Sequence, residues 1–435
     1  MASNTRPRSR PAAPAATPAP TAAAPRPLRQ LRASDLRGVA RLATQATTGI
    51  TRVVEGVHQS VLGTLGLPGG AQPGQARGFT GLVYQSIRGV TRLVDAGLQA
   101  GLQRLEPLVP LVQGPAEAGV QWERQAVMAA LNGVMGDRLQ ADHNPLCTPM
   151  GFYQQGLPLD PAALGTAGRA TGKLLVLVHG LCMNDLQWQR GGHDHGAYLA
   201  LALGYTPVYL RYNTGLHTST NGAELSRMLD ALVAAWPVPV TDVAILAHSM
   251  GGLVARSACQ HAAAGDQAPA VRWQGLLRHL VCLGTPHHGA PLERAGSWVD
   301  VLLGSSAYSR PFARLAQLRS AGITDLRYGH VCDADWAGRD RFRQSPDQRT
   351  PVPLPPGVAC CTVAATLAVR RSPVAERLLG DGLVPLRSAL GIHDDARRCL
   401  QFAQDRQAVF HGMGHLAMLD DVRVARQVEQ WLTTA

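Results

Sequence analysis

One serine stands where a strand pattern breaks into a helix pattern. In Val243-Ala-Ile-Leu-Ala-His-Ser-Met-Gly-Gly-Leu-Val254, an apolar run ends in Ala247-His248-Ser249-Met250-Gly251 and helical spacing follows at once. Small residues lie two positions before and two after Ser249, as a tight apex requires, because its backbone is strained and packs closely on its neighbours. Such a turn pushes the hydroxyl out and sets the Met250 N–H at a helix N-terminus, where negative charge is favoured. Those are the properties of a nucleophile that attacks a carbonyl. An ordinary strand-to-helix turn also produces this short pattern by chance, and Ala247 fills a place where glycine is commoner. The other motifs of the chain must therefore decide.

Four further stretches carry chemistry-bearing residues. Leu174-Leu-Val-Leu-Val-His-Gly-Leu-Cys-Met-Asn184 is a buried strand pattern that ends in His179-Gly180 and turns at Leu181. Leu283-Gly-Thr-Pro-His-His-Gly-Ala-Pro291 closes another strand pattern. Gly380-Asp381-Gly-Leu-Val-Pro-Leu-Arg-Ser388 offers a carboxylate, and His411-Gly-Met-Gly-His415-Leu-Ala-Met-Leu-Asp420 offers two imidazoles. Competing carboxylates are Asp394, Asp395, Asp420 and Asp421, the last two placed at the start of a terminal helix. His179 reads as a brace for its loop, and His248 as structural, because neighbours on a sharp turn point apart.

In this order the motifs resemble the lipase branch of the α/β hydrolases, where His-Gly-Leu, Ala-His-Ser-Met-Gly-Gly and Gly-Thr-Pro-His-His-Gly recur. They are also similar to the branch that includes glycosylphosphatidylinositol-inositol deacylases. The resemblance covers roughly residues 172–432 and leaves out 1–110. It implies an α/β-hydrolase fold, a mostly parallel sheet with helices on both faces and a helical insertion over the site. It also implies Ser249 as nucleophile, Asp381 as acid and His415 as base, with His411 the substitute, in the chain order Ser, Asp, His of that fold. The Leu181 and Met250 N–H groups become the oxyanion hole, and the activity becomes hydrolysis of a hydrophobic ester through an acyl-enzyme. Acyl transfer to an alcohol fits the same residues. A non-catalytic lipid- or polymer-surface protein is the third reading, disfavoured because a decayed site has no reason to keep every part.

The elements that must position these groups follow from periodicity. Strands are predicted at Leu174–Val178, Pro207–Arg211, Val243–Ala247, Leu280–Gly284, Ala359–Ala365 and near Cys399–Phe402, with Gly151–Pro158 a short strand leading in. Helices are predicted at about 191–203, 221–235 and 251–263, and another from about Pro115 to Leu139. Ahead of these, 1–35 is a Pro/Ala/Arg-rich leader too poor in apolar residues to order itself. Residues 36–110 read as an amphipathic helical hairpin with a repeat, Gly49-Ile-Thr-Arg-Val-Val-Glu55 against Gly89-Val-Thr-Arg-Leu-Val-Asp95. The catalytic domain is then 111–435, with an insertion or cap at about 291–358 containing Trp298, Val301, Leu302, Leu303, Phe312 and Leu315. Its part from Arg339 to Pro356 reads as a polar, mobile loop.

Composition bounds the rest. The 435 residues are 46% hydrophobic, enough for one large core. The formal charge is +11, concentrated in the arginines of the first 41 residues. A basic leader and two amphipathic helices suit a lipid or polymer surface, although packing against the catalytic domain is the commoner use of such a face. No apolar run reaches the ~18 residues of a transmembrane helix. Eight scattered cysteines without a CxxC pair, and no apolar segment behind the first arginines, predict a cytoplasmic protein, peripheral to a membrane if the helices bind one. No nucleic-acid module and no phosphate loop is present. His193-Asp-His195 and Asp333-Ala-Asp335 are suggestive of a metal, but their spacing compels none, so neither metal nor cofactor is expected.

Overall fold

A computed structural model describes residues 118–264, 272–290, 319–340, 347–369 and 380–434, together with Arg37, Gly38 and Arg41. The expected leader, nearly all of the 36–110 hairpin and the apolar residues of the insertion from Trp298 to Leu315 lie outside the described residues.

Eight strands form one sheet: β1 (Gly151–Gln154), β2 (Leu157–Pro158), β3 (Lys173–Val178), β4 (Thr206–Arg211), β5 (Asp242–His248), β6 (Leu277–Leu283), β7 (Ala359–Thr366) and β8 (Gln407–His411). Their order is β2-β1-β4-β3-β5-β6-β7-β8. β1 runs antiparallel to β2 and β4, and every other pairing is parallel. Among the described residues the helices from 118 onward are α1 (Ala118–Ala141), α2 (Pro161–Thr166), α3 (His195–Leu203), α4 (Thr218–Ala235), α5 (Met250–Ala264), α6 (Arg272–Leu276), α7 (Ala321–Tyr328), α8 (Leu386–Ala389) and α9 (Val422–Thr433).

The strands are nearly continuous apolar runs because both faces of the sheet are covered. Alternate side chains of β3 go to opposite cores. Leu174, Val176 and Val178 join Leu225 and Leu229 of α4 and Val254 of α5. Leu175 and Leu177 join Leu199 of α3 and Val424, Val428 and Trp431 of α9. The chain steps from β3 outward to β4 and then crosses back to β5, so the sheet order reverses between β3 and β5. In open α/β sheets the crevice at the carboxyl ends of such strands is where ligands bind. The Leu181 loop leaves β3 there, and Ser249 leaves β5.

Several expectations need correction. The strand foreseen near Cys399–Phe402 is not one: Leu400 N donates to Gly391 O, Cys399 Sγ bonds His393 O, and Phe402 packs into the first core. The last strand is β8, Gln407–His411, paired with Thr362–Thr366. The Gly151–Pro158 strand is a hairpin, turned at Gln155 and Gly156 with φ of 52° and 76°. The helix foreseen from 191 begins at His195, because Gly191 and Gly192 take positive φ and the Asp194 side chain caps the Ala197 N–H. The stretch expected as a mobile loop is pinned where it is described: Asp347 pairs with Arg349 at 2.7 Å and Arg398 at 2.9 Å. No helix among the described residues is long and apolar enough to cross a membrane.

Candidate active site

Ser249 sits between the last residue of β5 and the first of α5, with φ of 55°. A non-glycine residue there is strained, and such strain persists only when the surroundings enforce it. They do so through two backbone bonds, Ser249 N to Leu283 O at 2.8 Å and Gly252 N to Ser249 O at 3.0 Å. The close packing foretold for the flanking small residues is real at Gly251, where a Cβ would press on the carbonyl oxygens of Val178 and His179. Ala247, the departure from glycine, fits the core without exposure.

β3 ends in the second loop. His179 is buried, its Nδ1–H bonds Gly180 O at 2.9 Å, and its ring stacks on Tyr212 at 4.5 Å. Burial pushes its pKa down to about 3, so it is a neutral brace. Cys182 adopts φ of 58°, a second strained non-glycine residue. Its N–H donates to Thr214 Oγ1 at 3.1 Å, and Met183 N to Gly180 O at 3.3 Å. Among the described residues the Leu181 N–H has no such acceptor, and the Met250 N–H, first in α5, has no carbonyl one turn earlier. They are the two N–H groups expected from the sequence to serve as oxyanion donors.

Asp381 and His415 meet in the structure. His415 Nδ1 lies 2.7 Å from Asp381 Oδ2, both side chains buried, and His415 N donates to Asp381 O at 3.0 Å. The other carboxylate oxygen accepts from Leu383 N at 2.9 Å and Val384 N at 2.7 Å, which fixes the carboxylate plane. His411, the substitute base, stays at the end of β8 opposite Thr366. The competing acids are occupied elsewhere: Asp394 by Arg387, Asp395 by Arg397, Asp420 by Arg190, and Asp421 by capping α9 and pairing with Arg423.

Gly284 joins the two halves and was not singled out from the sequence. It follows Leu283, whose carbonyl holds Ser249, and it has φ of 56°. A Cβ there would collide with Met418 Cε and stand 3.1 Å from His415 Nδ1 and 3.2 Å from Asp381 Oδ2. The signal was available, since a glycine at a strand end inside Gly-Thr-Pro-His-His-Gly marks a close approach. His248 is a second link, its Nε2 donating to His415 O at 3.3 Å with ring centroids 4.7 Å apart. Burial above all, and the neighbouring His415 next, hold its pKa well below the usual histidine range. Ser249 Oγ makes no hydrogen bond here. In free enzymes the nucleophile–base contact is often long and closes on the substrate.

A reversing parallel sheet, a strained serine on a strand-to-helix turn and the chain order Ser249, Asp381, His415 decide the architecture. This is an α/β-hydrolase fold. Residues 169–348 match the model of the PGAP1-like alpha/beta domain family. Within this hydrolase fold the match contains β3 to β6, the Leu181 loop and Ser249, while Asp381 and His415 lie beyond it. Similar solved structures include a Bacillus licheniformis lipase in its mature form, at 19% identity and TM-score 0.38, covering 60% of this chain and 92% of that one. EstA from Clostridium botulinum is similar at 12% identity and TM-score 0.36, covering 61% and 88%. An esterase of Pyrococcus furiosus is similar at 11% identity and TM-score 0.36, covering 61% and 83%. No curated protein sequence matches the chain.

The residues weighed for a metal have other employment. His193 Nε2 bonds His195 Nδ1 at 3.0 Å, and His195 Nε2 bonds Met418 O at 2.8 Å. Asp335 accepts from Val331, Cys332 and Thr350 N–H groups. Among the described residues no group of three His, Cys, Asp or Glu side chains could hold a metal.

Proposed function

We propose that the chain is a serine carboxylic-ester hydrolase of lipase or esterase type. The observation that carries this reading is the dipeptide Leu283-Gly284. Its carbonyl holds the strained Ser249, and its missing side chain makes room for the His415–Asp381 pair. One short segment thus serves all three groups.

The chemistry follows from the roles. His415 takes the Ser249 proton as the serine oxygen attacks the ester carbonyl, then protonates the leaving alcohol. Asp381 fixes the imidazole tautomer with the proton on Nδ1 and stabilises the imidazolium. The Leu181 and Met250 N–H groups receive the oxyanion; one such donor contributes about 3–4 kcal/mol in the transition state. Water then cleaves the acyl-enzyme by the same proton transfers in reverse.

Hydrolysis of p-nitrophenyl esters of increasing chain length tests this. The wild type should turn over at least part of the series, and Ser249→Ala should lose about 10⁶-fold in kcat. A folded wild type inactive on every ester contradicts the reading. An alcohol added to the assay separates hydrolysis from acyl transfer, which yields a new ester in place of the free acid.

A further inference from the structure

Arg256 lies two turns beyond Ser249 on α5 and is almost fully buried, at 4% exposure. Its Nη2 donates to Val352 O at 2.6 Å and its Nη1 to His287 Nδ1 at 3.4 Å, while Nε finds no acceptor. Among the described residues no carboxylate pairs with it. The acids of the neighbourhood are engaged: Asp347 with Arg349 and Arg398, Asp395 with Arg397 and Arg398, and the buried Asp335 with the N–H groups of Val331, Cys332 and Thr350. Burial draws the Arg256 pKa down to about 10, which leaves it charged at neutral pH. A buried charge without a counter-charge is strongly unfavourable.

His287 adds a second donor. Arginine only donates, so His287 Nδ1 accepts, and the single proton of a neutral ring sits on Nε2. Burial first, then the charge of Arg256, keep the ring neutral. That buried Nε2–H has no acceptor either. Arg256 and His287 line one cavity of about 20 Å³, with Arg349, Arg398, Gly329 and Val331 among its walls. Three arginines and no carboxylate residue line it, and of the three only Arg256 is without a carboxylate partner among the described residues. The volume suits a single occupant of about the size of a water molecule.

We propose that this cavity binds a small monovalent anion of halide size, held by Arg256 and His287. The anion accepts the orphaned N–H bonds and offsets the buried guanidinium. A water molecule can accept the bonds but brings no charge. The occupant ties α5 to His287 in the loop after β6 and to Val352, and so steadies the helix that begins beside Ser249. This site is independent of the ester-hydrolase reading.

Crystals of the full chain grown in sodium bromide, with anomalous data at the bromine edge, test the proposal on the wild type. The expected result is a peak beside Arg256 and His287. Water in the cavity, or no peak there, overturns it. In solution, the melting midpoint is compared in chloride and gluconate at equal ionic strength, which cancels general screening of this basic chain. Chloride should raise the midpoint of the wild type and not that of Arg256→Met, which removes the buried charge while keeping an apolar stem. An equal chloride-minus-gluconate difference in both proteins, or none in the wild type, overturns the proposal.

Discussion

Ser249 is placed largely by the strand and helix that it joins, with one bond to Leu283 O, whereas Asp381 and His415, 34 residues apart, meet only across the fold, in the space left at Gly284. On the serine side the strain of a positive φ is enforced by adjoining elements and one bond from the next strand: β5 runs in, α5 runs out, Ser249 N bonds Leu283 O, and Gly251 lets the helix start press against the end of β3. On the acid–base side local bonds fix the carboxylate, but nothing local brings it to the imidazole. The carboxylate is fixed by the Leu383 and Val384 N–H groups, the imidazole by the carboxylate, and the space for both by the absence of a side chain at Gly284. The proposed nucleophile thus rests mainly on the turn that carries it, and the proposed acid–base pair on contacts across the fold.

Substitutions on the acid–base side should therefore be costly even when small. Asp381→Asn keeps the shape but cannot hold the Nδ1–H tautomer of His415, and kcat should fall by about 10⁴-fold. A fall below tenfold would assign the acid elsewhere. Gly284→Ala adds one methyl group between Met418 and the pair, and should lower kcat by about 10²-fold through misplacement of the imidazole. Steady-state kinetics on a folded variant, checked by circular dichroism, would read this directly. Unchanged kinetics would mean that Gly284 serves the backbone turn alone.

The oxyanion side offers a third test. A Cβ on Gly133 of α1 would collide with Cys182 Sγ and stand 3.0 Å from Cys182 N and Cα, next to Leu181, the proposed oxyanion donor. Gly133→Ala should lower kcat by about tenfold, a partial loss of one oxyanion donor. Adding Cys182→Gly should restore activity, since glycine also relieves the positive φ at that position. A double variant as slow as Gly133→Ala would place the damage in α1 packing instead.

The smallest effect is on stability against pH. Burial draws the pKa of His195 down to about 4 and that of His179 to about 3. An unfolded histidine takes up its proton near pH 6.5, so between about 6.5 and 4 the unfolded chain binds more protons than the folded one. Each of these groups then removes up to about 1.4 kcal/mol of stability per pH unit as the solution is acidified. The melting midpoint should fall steadily from pH 7 to pH 4.5, and a flat profile would contradict the buried neutral assignment.

The same contrast explains what could be read from the sequence. β3 to β7 were legible because buried parallel strands are continuous apolar runs, and the Ser249 turn because its determinants are contiguous. β8 was missed since Gln407-Ala-Val-Phe-His411 is only half-buried at the sheet edge, while the more apolar Cys399–Phe402 packs inward without pairing. Asp381 and His415 were reached through resemblance, not through any local pattern, and the same resemblance put His415 ahead of His411. Gly284 carried a local signal of close approach, but its partners, like Thr214 and the contact of α1 on Cys182, depend on residues far apart in sequence, which no spacing rule encodes.

Reaction with a fluorophosphonate, followed by peptide mass mapping, tests the central claim most directly. The wild type should carry one adduct, on Ser249, and His415→Ala should form it far more slowly, because the serine then has no base. An adduct elsewhere, or labelling of Ser249 at the same rate in both proteins, would contradict the account.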